Sequence, residues 1–164
     1  VAAVALAAFA WGACGASAGP MKLPDLVARQ VFQHLHGRIY AAFDARCEND
    51  IYDTLASGLT GPILDDVYNE VYQAMLARDA GLVNFRIRRI KPIETVVLPA
   101  EPGDAAGAFR VRYHWRVYGT VTHVGHTHAR FNEYEAEYLV RPTAGGWRLA
   151  GSKVWQNKRV KIGQ

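Results

Sequence analysis

Phe109-Arg110-Val111-Arg112-Tyr113-His114-Trp115-Arg116-Val117-Tyr118 alternates without a break. Phe109, Val111, Tyr113, Trp115 and Val117 fall on one side of an extended chain. Arg110, Arg112, His114, Arg116 and Tyr118 fall on the other. A period of two describes a strand whose one face is buried and whose other face meets water, the usual state of an antiparallel sheet. Downstream, residues 131–140 repeat the pattern, with Glu133, Glu135 and Glu137 opposed to Tyr134, Ala136, Tyr138 and Val140. Arginines on one strand and glutamates on the next predict cross-strand ion pairs. Residues 143–146 read as a turn and residues 147–155 as a last strand. Upstream, residues 83–98 are rich in Val and Ile, with Pro92 as a bend or edge residue, and a Pro/Gly/Ala turn follows at 101–107.

Before residue 81 the period changes to that of a helix. Leu26, Val27, Val31, Leu35, Ile39, Ala42 and Phe43 predict a long first helix over 25–45, with Asp25 as its cap. Residues 48–59 predict a second, with Ile51, Tyr52, Leu55 and Ala56 on one face. A third starts after Thr60-Gly61-Pro62, with Thr60 as N-cap and Pro62 in the first turn, carries Ile63, Leu64, Val67, Val71, Met75 and Leu76, and ends at Gly81. Helices first and a strand meander after them make an α+β domain, with three helices packed on one face of a curved antiparallel sheet.

Charge divides along the same line. Residues 22–80 carry five basic and nine acidic groups, and residues 81–164 carry fourteen basic and six acidic. The first 21 residues carry none, although the whole chain of 164 residues has 19 basic and 15 acidic side chains. That partition excludes a disordered or low-complexity chain. The basic half holds no known nucleic-acid-binding motif, and no nucleic-acid partner is expected.

The leader, VAAVALAAFAWGACGASAGPM, supports three readings. Ala16-Ser17-Ala18 resembles a signal-peptide cleavage site, but no basic stretch precedes the apolar run. Gly12-Ala13-Cys14 resembles a lipoprotein signal, with Trp11 where Leu is usual. The third reading is a retained membrane anchor over residues 1–20. Eighteen helical residues span ~27 Å, close to the ~30 Å of a hydrocarbon core. The anchor is carried forward as the expectation, with the domain over 21–164. Ala5, Ala8, Gly12 and Gly15 form a small-residue face suited to close helix packing in a bilayer. With Cys14 in that segment and Cys47 in the domain, no internal disulfide is expected, and Cys47 reads as a buried or half-buried thiol.

The helices carrying HGRIYAAFDA (36–45) and ENDIYDTLA (48–56), a third helix and an antiparallel meander together resemble the nuclear-transport-factor-2-like superfamily. This is the cone-shaped fold shared with ketosteroid isomerase and polyketide cyclases. With the apolar leader, the stretches Gly125-His126-Thr127-His128 and Asn132-Glu133-Tyr134-Glu135-Ala136 also look similar to uncharacterised bacterial membrane-anchored proteins. The resemblance implies a cone-like domain on the periplasmic side of a bacterial inner membrane. It transfers no activity, because the fold hosts enzymes, binders and assembly modules alike.

Three groups of residues are candidates for function. His123, His126 and His128 cluster at a hairpin tip, and neutral imidazoles at such spacing suit a metal ion; the plainer reading is a hydrogen-bonded polar tip with Thr122, Thr127 and Asn132. Tyr40, Asp44, Tyr113, Trp115, Tyr134, Tyr138 and His128 are placed to line a cone interior. The catalytic carry-over fails there, because no Asp occupies the strand positions where ketosteroid-isomerase-like enzymes hold their base. Arg86, Arg88 and Arg89 make a basic edge for protein contact, facing an acidic helical side. The expected role is therefore a non-catalytic accessory subunit of a larger membrane complex, without a cofactor. The alternatives are a ligand- or metal-binding domain and a small-molecule enzyme acting in the cone.

Overall fold

The computed structural model describes residues 23–123 and 125–160. The leader over 1–20, with Ala5, Ala8, Gly12 and Gly15, lies outside the described residues. Among the described residues no helix is long and apolar enough to cross a membrane. The elements are α1 (Asp25–Ala41), α2 (Glu48–Ala56), α3 (Pro62–Asp79), β1 (Asn84–Pro99), β2 (Phe109–His123), β3 (His126–Thr143) and β4 (Gly146–Val160), with a short 3-10 turn at Ala42–Asp44. The four strands form one antiparallel sheet in the order β1-β2-β3-β4, a plain meander. The α+β expectation holds, with three helices set against one face of a curved sheet.

The helix ends differ in detail from the sequence reading. Pro24 occupies the N-cap of α1, and the Asp25 carboxylate accepts a 2.7 Å hydrogen bond from Arg29 Nε one turn on. Gly61, at φ 70, occupies the N-cap of α3. Thr60 is committed elsewhere: its N–H donates to Leu149 O at 2.9 Å, and Leu149 N–H donates to Gly58 O at 2.9 Å. These two bonds make a parallel bridge between Leu59 and Leu149. The C-terminus of α3 closes as a Schellman turn. Leu82 N–H donates to Ala77 O and Gly81 N–H to Arg78 O, with Gly81 at φ 68, a conformation glycine adopts without steric cost.

α1 is rotated relative to the stripe expected for it. Its buried residues are Ala28, Phe32, Leu35 and His36, whereas Leu26 and Val27 are exposed. The sheet explains the rotation. Phe32 and His36 meet the aromatic face of β2 and β3, which offers more area than the aliphatic edge of the helix does. Ile51 and Leu55 of α2 are buried as expected, but Tyr52 is exposed, and Leu76 at the end of α3 is exposed as well.

Phe109, Val111, Tyr113, Trp115 and Val117 are all buried, and Ala136, Tyr138 and Val140 are buried opposite them on β3. Val111, Val140 and Leu149 are completely covered, and each such side chain contributes roughly 1.5–3 kcal/mol on burial. The outer face carries the expected ion pairs. Arg116 Nε meets Glu133 Oε2 at 2.5 Å, and Arg110 NH1 meets Glu137 Oε1 at 3.1 Å. His114 Nε2 lies 2.9 Å from Glu133 Oε1. Arg110 also grips Asp104 in the β1–β2 turn with Nε at 2.9 Å and NH2 at 3.0 Å. The bond to Arg110 holds the Asp104 carboxyl below the usual range. Both edge strands are irregular. β1 shifts register at Ile87/Arg89 and at Pro92/Glu94, and β4 shifts at two positions against β3. Bulges, proline and lysine on an edge discourage strand-to-strand aggregation.

α1 and α3 both approach the two edge strands, β1 and β4. They therefore bridge the curled sheet from rim to rim and leave a space above its centre.

Candidate functional site

Alternate residues of the central strands point into that space. On β2 these are Tyr113, Trp115 and Val117, and on β3 they are Asn132, Tyr134 and Tyr138. Trp115 lies in the middle of a stack, with ring centroids 4.8 Å from Tyr113 and 5.2 Å from Tyr134 and near-parallel planes. His36 of α1 plugs the helical end of the stack. Its ring centroid is 4.8 Å from Tyr113, 5.0 Å from Trp115, 5.2 Å from Tyr40 and 5.3 Å from Tyr138. Only 3% of His36 is exposed, and among the described residues its Nε2 has no hydrogen-bond partner. Burial pushes its pKa down to about 3, because an imidazolium in this aromatic box would lack solvation. His36 is thus a neutral core residue.

Beyond His36 the space opens into a pocket of about 490 Å³. Ile39, Tyr40 and Phe43 of the first helical segment form one wall, and Ile63, Asp66, Val67 and Glu70 of α3 form the next. Phe85 and Ile87 come from β1, Arg130 and Asn132 from β3, and Ser152, Val154 and Asn157 from β4. Trp115, Tyr134 and Tyr138 make the floor. Gly119 makes room for this arrangement: a Cβ there would stand 2.6 Å from Arg86 O and 2.9 Å from the Phe85 ring. Only glycine lets β1 and the Phe85 ring come so close.

The polar groups of the floor are tied in two short chains. Trp115 Nε1 donates to the Tyr40 hydroxyl at 2.7 Å. Arg130 Nε donates to Asn132 Oδ1 at 3.1 Å, and Asn132 Nδ2 donates to the Tyr134 hydroxyl at 2.9 Å. Burial raises the pKa of Tyr40, Tyr134 and Tyr138, and it raises that of Tyr113 to about 12. The phenols stay protonated, so the floor is an uncharged aromatic surface carrying hydroxyl groups.

Of the cone-interior residues expected from the sequence, Tyr40, Trp115, Tyr134 and Tyr138 line the pocket. Tyr113 lies in the core against Phe32 and His36. Asp44 is exposed in the 3-10 turn, outside the pocket, because that turn carries it past the cup. The residues missed were Asp66, Glu70, Arg130 and Asn157 at the rim and His36 below the floor. His36 had a signal: it lies four residues from both Phe32 and Tyr40, on one helical face.

The hairpin tip is where it was expected. His123 pairs with His126 across the strands and Val121 pairs with His128, which puts all three histidines on the concave face of the sheet. The rings of His123 and His128 meet edge to face at 5.2 Å. Thr122 and Thr127 hydrogen-bond at 2.8 Å on the opposite face. Among the described residues no three His, Cys, Asp or Glu side chains converge on one point suited to a metal ion. Arg86, Arg88 and Arg89 are exposed on the edge strand β1, with Arg88 the extra residue of its first bulge. Cys47 is a correction. It is exposed rather than buried, since it stands on the extended residue before α2, clear of the helical face that packs.

No protein-family profile matches this chain, and no curated protein does. Among solved structures, the intermembrane space region of the chloroplast protein ARC6 is similar in fold. The match covers 82% of this chain and 98% of that one, with TM-score 0.57 and 14% sequence identity. At that identity the likeness shows the fold alone.

Proposed function

We propose that this chain is a non-catalytic accessory subunit of a larger membrane complex, held at the membrane by residues 1–20. Its nuclear-transport-factor-2-like domain stands on the periplasmic side of a bacterial inner membrane. The carrying observation is the uncharged 21-residue leader joined to a domain of sharply divided charge. An anchored domain meets its partners in two dimensions, where modest contacts suffice because the effective concentration is high. The acidic helical side and the basic edge of β1 at Arg86, Arg88 and Arg89 give it two surfaces of opposite sign. Three helices ahead of a four-strand meander support the superfamily assignment. The likeness in fold to a domain named for an intermembrane space supports a place beside a membrane.

The test is cross-linking of the full chain in intact membranes, followed by native electrophoresis after mild detergent extraction. The expected result is a species well above the 18.1 kDa of the chain. Recovery as a lone monomer without cross-linked partners overturns the reading. The aromatic pocket supports a second reading, in which the domain holds a small ligand in its cup.

A further inference from the structure

We propose that the pocket above Trp115 binds an organic ammonium ion carried on an apolar or aromatic body. This deepens the ligand-binding reading and is independent of membrane assembly.

Three observations converge. The floor is aromatic: Trp115, Tyr134 and Tyr138 line it, with the Tyr134 ring stacked on Trp115 at 5.2 Å. Aromatic faces carry partial negative charge and attract cations. Second, Tyr138 lines the pocket and is only 5% exposed. The hydroxyls of Tyr40 and Tyr134 already accept bonds from Trp115 and Asn132. Tyr138 adds a third phenol oxygen to the floor that can accept from an ammonium N–H, while Tyr40 and Tyr134 keep their O–H donors. Third, Asp66 and Glu70, one turn apart on α3, line the wall of the pocket, and neither forms an ion pair among the described residues. Among the described residues Arg130 is the one cationic side chain of the lining, against Asp66 and Glu70, so this lining is net negative.

The negative bias reaches the floor. Glu70 is one of the charges that raise the Tyr134 and Tyr138 pKa values, while Arg130 acts on Tyr134 in the opposite direction. An ammonium group between Tyr138 and Glu70 would donate to both, and its carbon body would lie against the part-buried Tyr134 ring. A carboxylate in the same place would face two carboxylates. A neutral group would lose water without meeting the charge. The volume of about 490 Å³ falls in the range of small-molecule sites, ~300–1,000 Å³.

The test uses three probes of one shape: phenethylamine, phenethyl alcohol and phenylacetate. Binding to the full chain in neutral detergent is followed by titration calorimetry. The expected order is amine first, with the alcohol about ten-fold weaker, as one cation–aromatic contact and one carboxylate contact imply. Asp66→Asn with Glu70→Gln, both at exposed positions, should abolish the preference for the amine. Tyr138→Phe should weaken the amine several-fold and leave the alcohol less affected. Binding of the alcohol or of phenylacetate as tightly as the amine overturns the ligand class while leaving a ligand pocket. Failure of all three probes at millimolar concentration overturns both.

Discussion

The two faces of the central strands are built on opposite terms. Trp115 and Arg116 are sequence neighbours, yet one is 2% exposed in a stack of rings and the other reaches across the surface to Glu133. On the concave face the interactions are apolar, crowded and mutually dependent. On the convex face they are ionic, spread out and screened by water. Stability should therefore reside on the concave face, and the convex face should chiefly fix register and solubility.

The sharpest way to break this contrast is to truncate one residue on each side. Trp115→Ala should cost about 3–5 kcal/mol in urea unfolding, since it removes the centre of the stack. Arg112→Ala, whose guanidinium lies 5.9 Å over the Trp155 ring on the outside, should cost under about 1 kcal/mol. Equal costs would erase the distinction.

Acid should act on the concave face through His36. The folded protein holds this imidazole neutral to about pH 3, with Tyr40, Tyr113, Tyr138, Phe32 and Trp115 around it, whereas the unfolded chain takes up the proton near pH 6.5. A lowered folded pKa means that the unfolded state binds more protons in this interval. Its effect is absent above pH 6.5, and stability then falls on acidification by about 1.4 kcal/mol per pH unit towards pH 3. His36→Phe should flatten the profile of unfolding free energy between pH 6 and pH 4, and an unchanged slope would show that the proton enters elsewhere.

Gly119→Ala tests the packing that lets Phe85 close the pocket. With backbone oxygen 2.6 Å from the new Cβ, β1 must move, at roughly 1–3 kcal/mol. Chemical shifts on both strands should report the displacement. The smallest effect belongs to the convex face. Glu133→Gln removes the negative charge shared by His114 and Arg116 and one of its two acceptor oxygens, and should cost from a few tenths to about 1 kcal/mol. Hydrogen bonds to these two residues hold the Glu133 carboxyl below the usual range, so its contribution is present above the ordinary carboxylate range and is lost as pH falls through the folded value. Added salt should shrink it.

The strand alternation around Tyr113 and Glu135 was legible because period two is a local property. It understated the lengths, since the outer ends of β2, β3 and β4 carry Thr, His and Lys, which continue the backbone pairing without an apolar alternation to mark it. The caps were less legible. Thr60 has the right side chain for α3, but the sheet takes its N–H. The aromatic half of the cup could be read from strand parity. The rim could not, because Asp66 and Glu70 look like any solvated helix face until α3 is laid across the edges of the sheet. Arg130 lay just before the stretch where alternation was clear, and Asn132, inside it, read as a polar partner of the hairpin tip.

The bridge between Leu59 and Leu149 bears on how the molecule folds. The hairpins pair residues near in sequence and can form early, but this clasp joins the exit of the second helix to the last strand and closes most of the chain into a loop. Its formation must await docking of the helices on the finished sheet, and that search sets the pace for topologies with distant contacts. The Leu149 amide, hydrogen-bonded to Gly58 and wholly buried, should therefore exchange with solvent only when the entire domain opens.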